Sequence, residues 1–190
     1  ICLTSCDLDE TQEVVTLNNL VWADEFDTDG DPNPQNWNLI TGDGTDEGIP
    51  GWGNNELQYY TDRPENAKVE NGVLSITARS ESFEGYDYTS ARLTTKNLFE
   101  KKHGRFEARI KVPYGKGYWP AFWLLGDDSD GAMWPEVGEI DIMEYLGDAP
   151  TTVFGTIHGP EYSGENSISK NYVLQNNRFD TSFHVFGIEW

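Results

Sequence analysis

From Leu20 onward, short apolar runs alternate with clusters of Gly, Asn, Asp and Pro, and no stretch keeps a 3.6-residue repeat. Partial period-two alternation predicts strands at 20–26, 57–60, 67–70, 73–79, 90–95, 104–112, 121–125, 138–145, 152–158, 170–174 and 183–190. Asn71-Gly72, set between Glu70 and Val73, is a strong hairpin signal, because both positions of a tight two-residue turn need positive φ. Many short strands with turn clusters between them predict an all-β sandwich or barrel with curved sheets. Residues 7–18 read as a polar leader, and no internal repeat or low-complexity tract follows residue 20. No apolar run approaches the roughly 18 residues of a membrane span.

Composition narrows the class of partner. The 190 residues carry 33 acidic and 13 basic side chains, a formal charge of −20. That charge disfavours nucleic acid, whose phosphates need a basic footprint. It also disfavours anionic lipid head groups and polyanionic substrates. Low hydrophobicity with high charge suits disorder, but 7 Trp, 9 Tyr and 9 Phe are too many for a solvated chain. A soluble, acidic monomer is expected.

Both cysteines, Cys2 and Cys6, fall in the first six residues, so they cannot staple the fold. Leu3-Thr4-Ser5-Cys6 resembles a bacterial lipobox, in which the cysteine is lipidated, and the acidic Asp7-Leu8-Asp9-Glu10 follows it. A chance cysteine in a leader is the alternative. On the lipobox reading, residues 1–19 are a signal-peptide remnant and lipoprotein leader. The protein is then extracellular or at the cell surface, with Cys6 its one membrane anchor. At the other end, Phe183 to Trp190 alternates like a strand and stops in mid-pattern, so the domain of residues 20–190 is expected to be incomplete at its C-terminus.

The densest chemistry is Glu136-Val137-Gly138-Glu139-Ile140-Asp141-Ile142-Met143-Glu144. On a strand, Glu139 and Asp141 share one face, and Ile140 and Ile142 point to the other. A regular strand would turn Glu144 toward the apolar side, where an unpaired carboxylate is costly. A β-bulge at Ile142-Met143 resets the alternation and puts all three acids on one face. Glu139 and Glu144 would then stand roughly 13 Å apart at their Cα atoms, with carboxyls converging to about 5 Å. That separation suits a retaining glycosidase, in which one carboxylate attacks and the other protonates the leaving oxygen. Three crowded carboxyls cannot all ionise easily, so at least one pKa should rise, as a general acid requires. A solvated acidic face or a cation site is the alternative reading of the same pattern.

Tryptophans flank these acids. Trp119 and Trp123 are four apart and share a face on a regular strand, while Phe122 and Leu124 face away. Trp134 precedes Glu139 by five residues. Flat apolar rings beside carboxylates can stack on sugar C–H faces, although core filling is the commoner fate of a single Trp.

The run Trp134-Pro135-Glu136-Val137-Gly138-Glu139-Ile140-Asp141-Ile142-Met143-Glu144 resembles the signature of glycoside hydrolase family 16, in the bulged form of laminarinases (endo-1,3-β-glucanases). The resemblance extends over residues 20–190. It includes the segments Trp52 to Tyr60, Ser90 to Lys96, Gly117 to Leu125 and Gly155 to Gly159. It implies a β-jelly-roll sandwich of two curved antiparallel sheets with a glucan cleft on the concave face. It further implies Glu139 as nucleophile, Glu144 as acid/base, and Asp141 as the group that tunes Glu139. Asn54, Arg92, Trp119, Trp123, Trp134 and His158 match sugar-contacting positions. For Arg92 a surface ion pair is the alternative, and for His158 a structural histidine. The family often binds a structural calcium, for which Glu25 and the Gly72 carbonyl match, but the final-strand aspartate that completes that site has no counterpart in this chain. Asp27-Thr28-Asp29-Gly30-Asp31 begins like an EF-hand loop but has Pro32 where Gly is needed and Asn38 where Glu is needed. The missing end strands would leave sheet edges exposed, so these residues alone are expected to be poorly stable.

The implied activity is retaining endo-hydrolysis of 1,3-β-D-glucosidic linkages without a catalytic cofactor. The alternatives are a family relative acting on mixed-linkage glucan or an agar-type galactan, and a non-catalytic glucan-binding lectin. The bulge argues against a lichenase, whose signature lacks it, and the retained glutamate pair argues against a lectin.

Overall fold

The structure is a computed structural model that describes residues 19–190. The leader expected at 1–19 lies outside the described residues apart from Asn19, and so does the anchor expected at Cys6. In chain order the strands are β1 (Asn38–Ile40), β2 (Gln58–Tyr60), β3 (Ala67–Glu70), β4 (Val73–Ile76), β5 (Arg79–Phe83), β6 (Tyr86–Ser90) and β7 (Arg92–Thr94). They continue with β8 (Arg105–Ile110), β9 (Ala121–Leu125), β10 (Glu139–Tyr145), β11 (Thr152–His158), β12 (Ile168–Val173) and β13 (His184–Glu189). Two short 3-10 turns, Pro50–Gly53 and Gly164–Asn166, are the only helical elements among the described residues, so the all-β class holds. The chain divides into two units, Ile1–Lys102 and His103–Trp190.

In the first unit, the Asn71-Gly72 signal makes its hairpin. Both residues have positive φ, and β3 pairs with β4 in the register Glu70↔Val73. The strand expected at 20–26 does not form. Its aromatic residues dock by their rings instead: Trp22 stacks on Phe99 at 5.4 Å and meets Trp37 edge-on at 5.5 Å. Asp24 fixes the local chain by accepting from the Phe26 N–H, the Asn36 amide and the Trp37 indole. The run expected as one strand at 73–79 breaks after Ile76, and β5 restarts at Arg79 to form a second hairpin with β6. Likewise 90–95 breaks at Ala91. The pairing is antiparallel except where β2 runs parallel to β6 over three residues, which corrects the wholly antiparallel expectation.

The second unit holds the four-stranded sheet β12-β11-β10-β9 and the pair β13-β8. One face of β10 builds the core. Met143 and Tyr145 are 1% and 0% exposed and pack with Val112, Val153, Phe179 and Phe186, while Ile142 and Phe122 press on the rim. Burying a side chain the size of Met143 contributes about 1.5–3 kcal/mol. That anchoring fixes the opposite face of the strand, where the acids stand.

Candidate active site

The bulge in β10 falls where the acids require it. Against β11 the register runs Asp141↔Thr156 and then Glu144↔Phe154, so three residues advance on β10 for two on its neighbour. Against β9 it runs Asp141↔Trp123 and then Met143↔Phe122. One extra residue at Ile142-Met143 therefore resets the side-chain alternation. Glu139, Asp141 and Glu144 share a face with their cross-strand partners His158, Thr156 and Phe154.

Asp141 is the hub. It is 6% exposed and shares a hydrogen bond with Glu139. Burial, and then the charges of Glu139 and Glu144, push its carboxyl up to about 8. Near neutral pH it is therefore protonated and donates to Glu139. The expectation that crowding would raise one acid is met at this residue, and burial is the largest cause. His158 Nε2 lies 3.3 Å from Asp141 Oδ2 and 3.9 Å from Glu139 Oε1. The Gly164 N–H donates to His158 Nδ1 at 3.1 Å, which places the proton of a neutral ring on Nε2, facing the acids.

Glu144 is held at both oxygens. Trp119 Nε1 donates to Oε1 at 3.0 Å, and Thr156 Oγ1 donates to Oε2 at 3.2 Å. Trp119 sits just before β9 and is 48% exposed, leaving much of its indole open. Trp123 shares the face of Asp141 by register. Trp134 lies against His158, with ring centroids 5.9 Å apart. Together Trp119, Glu144, Leu146, Phe154, Thr156 and Ser169 line a cavity of about 250 Å³.

Of the site residues expected from the sequence, Glu139, Asp141, Glu144, Trp119, Trp123, Trp134 and His158 all lie in the second unit. The structure brings them together on one side of one sheet. Asn54 and Arg92 belong to the first unit and share a neighbourhood there. Asn54 donates to Glu56, Tyr60 donates to the same carboxylate, and Arg92 lies over the Trp52 ring at 4.4 Å. Glu25 and Gly72 are both exposed. They offer at most three oxygens, two from the carboxylate and one carbonyl, fewer than the six to eight that calcium takes. Among the described residues, the one group of three His, Cys, Asp or Glu ligand atoms within 4.8 Å of one another is Glu139, Asp141 and His158.

Sequence reasoning passed over Thr156 and Ser169. Thr156 had a readable signal, because it stands two residues before His158 on a strand and so faces the same way. Ser169 had none, since only the register Thr156↔Ser169 brings it alongside.

Comparison with known proteins agrees with this geometry. Residues 54–190 match the family described as Glycosyl hydrolases family 16. A beta-glucanase of Rhodothermus marinus is 47% identical over 174 residues, covering 90% of this chain and 59% of its own length. The chain thus spans about three fifths of that relative. The laminarinase catalytic domain from Thermotoga maritima superposes with a TM-score of 0.85 at 54% identity, covering 90% of this chain and 70% of the other. An endo-beta-1,3-glucanase from Pyrococcus furiosus does so with a TM-score of 0.81 at 46% identity, covering 90% and 67%. This likeness carries the jelly-roll class expected from the sequence.

Proposed function

The chain belongs to glycosyl hydrolase family 16, and from that premise we propose that it is the catalytic part of a retaining endo-1,3-β-glucanase acting on laminarin-like glucans. The observation that carries the proposal is the bulge that turns Glu139, Asp141 and Glu144 to one face of β10. Glu139 attacks the anomeric carbon and forms a glycosyl-enzyme, while Glu144 protonates the departing glycosidic oxygen. In the second half-reaction Glu144 takes a proton from water, which hydrolyses the intermediate. Neutral Asp141 donates to Glu139 and spares it a second adjacent negative charge. Trp119, Trp123 and Trp134 offer rings to the sugar faces, with His158 as a polar contact, and Asn54 and Arg92 are the polar candidates of the first unit.

Reducing-sugar release from laminarin, beside mixed-linkage glucan and agarose, tests this. Rapid release from laminarin that is abolished in Glu139→Gln supports it. Release from agarose alone overturns the substrate. Retention on a laminarin column without release moves the function to a lectin.

The same reading includes a secreted or cell-surface location with lipid at Cys6, which labelling with a palmitate analogue checks. It also includes a structural calcium drawing on Glu25 and the Gly72 carbonyl. A thermal midpoint raised by calcium and lowered by chelator, with no response in Glu25→Ala, supports that ion.

A further inference from the structure

The two oxygens of Glu144 have partners of different kinds. Oε1 accepts from an indole N–H, which can only donate. Oε2 meets the Thr156 hydroxyl, which can donate or accept. Thr156 Oγ1 lies 3.2 Å from Ser169 Oγ, and either hydroxyl can be the donor. Ser169 Oγ lies 3.4 Å from the Gly155 carbonyl, an alternative acceptor. Thr156 is 7% exposed, so water substitutes poorly for these contacts.

We propose that Thr156 and Ser169 are positioning residues that form a reversible hydroxyl relay, turning with the protonation state of Glu144 and making Oε2 the oxygen that carries and delivers the proton. The relay rests on the assignment of Glu144 as acid/base. When Glu144 is ionised, Thr156 donates to Oε2 and accepts from Ser169. When Glu144 is protonated, Oε2–H donates to Thr156, Thr156 donates to Ser169, and Ser169 turns to the Gly155 carbonyl. In the glycosylation step the Oε2–H turns from Thr156 to the glycosidic oxygen, the O–H bond breaks, and its proton goes to that oxygen. The C1–O bond breaks with its electron pair on that oxygen, and Glu139 bonds to C1. Thr156 then turns to donate to the new carboxylate. Neither hydroxyl loses its proton; both only rotate. An acid/base must be stable in two protonation states, and a pair of fixed donors would hold it in one.

The charged groups around Glu144 are few. On its own strand Asp141 faces it, with Glu139 beyond. From β11 come Phe154, Thr156 and then His158, from β9 Ala121 and Trp123, and from β12 Ser169 and Asn171. Asp141 is thus the group whose own titration must be separated from the relay.

The test measures kcat/KM against pH for the full chain, on laminarin and on a dinitrophenyl β-laminaribioside, whose leaving group needs no proton. Thr156→Val should lower kcat/KM on laminarin about tenfold, the worth of one hydrogen bond to a charged group. It should also move the alkaline limb upward, because the ionised form loses a donor. The activated substrate should be cut at the normal rate. Thr156→Ser should restore the wild-type profile, and Ser169→Ala should fall between. The upward shift should persist in an Asp141→Asn background. Equal losses on both substrates, or an unmoved alkaline limb, would make Thr156 merely structural and overturn the relay. A silent Ser169→Ala beside an impaired Thr156→Val would overturn it too, by reducing Thr156 to a simple donor. Wild-type protein that releases nothing from laminarin would instead remove the acid/base assignment, and the relay with it.

Discussion

Each unit buries a polar network, and the two are wired in opposite ways. Around Asn66 in the first unit, donors and acceptors match. Asn66 and Thr89 are both 0% exposed. The Asn66 amide donates to the Thr77 carbonyl and to Thr89, and its oxygen accepts from Thr61 and Arg63. The Thr89 hydroxyl donates in turn to Glu81, which is also paired with Arg63. Around Asp141 in the second unit, acceptors crowd together. Three carboxyls share one strand face, and the nearby donors are one imidazole, one indole and one hydroxyl. The first network is complete and holds the chain in place. The second is short of protons, and it answers by keeping one on Asp141. A buried polar cluster is structural when its hydrogen bonds close, and chemically poised when they do not.

The largest effect that separates the two comes from Glu144→Gln. Removing a general acid lowers the rate by roughly 10²–10⁴-fold, yet the amide oxygen can still accept from Trp119 while its NH2 donates to the Thr156 hydroxyl, so the fold should be untouched. Kinetics on laminarin with a thermal melt on the same sample check both halves. A melt lowered in step with activity would mean that this cluster, too, is structural.

Asn66→Leu is the mirror experiment. It keeps the volume and strands Thr61, Thr89 and the Thr77 carbonyl without their partner. The expected loss is about 3 kcal/mol of stability, because several buried groups lose a hydrogen bond together. Denaturant unfolding measures it. A loss well under 1 kcal/mol would show that the closed network is dispensable and would weaken the contrast.

How much of this was legible in the sequence follows from the kind of constraint at each place. The bulge in β10 was readable because Glu144 would otherwise face the core, and one inserted residue is the simplest escape. The Asn71-Gly72 hairpin was readable because its backbone admits few other residues. The hairpin between β5 and β6 was not, since Glu84-Gly85 turns between runs as polar as the turn itself. The strand expected at 20–26 failed because alternation records that Trp22 is half-buried, not whether a ladder or a ring stack covers it. The three acids stand on one strand, so local spacing reached them. The Asn66 network joins residues 61 to 89 through side chains, and no local pattern announces it. Ser169 was invisible for the same reason: its role exists only through the β11–β12 register.

The finest test of the contrast uses pH. Asp141 holds a proton in the folded state up to about 8, against an ordinary carboxyl value of 3.8. A group whose folded pKa is raised contributes stability that is fully present below its unfolded value and is lost as pH rises through its folded value. The second unit should therefore lose stability from this residue between about pH 4 and pH 8. Asp141→Asn removes the titration while keeping an N–H that can donate to Glu139. The melting difference between variant and wild type should then be small at acid pH and move in favour of the variant as pH rises. A gain of at least about 1 kcal/mol by pH 9 is expected, since each unit of pKa shift corresponds to 1.36 kcal/mol. The Asn66 network should show no such loss as pH rises, because Asn66, Thr61 and Thr89 do not titrate and the hydrogen bonds from Thr89 and Arg63 hold Glu81 below the usual carboxylate range, so that its contribution is lost only toward acid pH. A difference that stays flat from pH 4 to pH 9 would mean that Asp141 is ionised in the folded protein. The crowded acids would then be balanced by donors the geometry does not reveal, and the distinction between a closed and an open network would lose its physical basis.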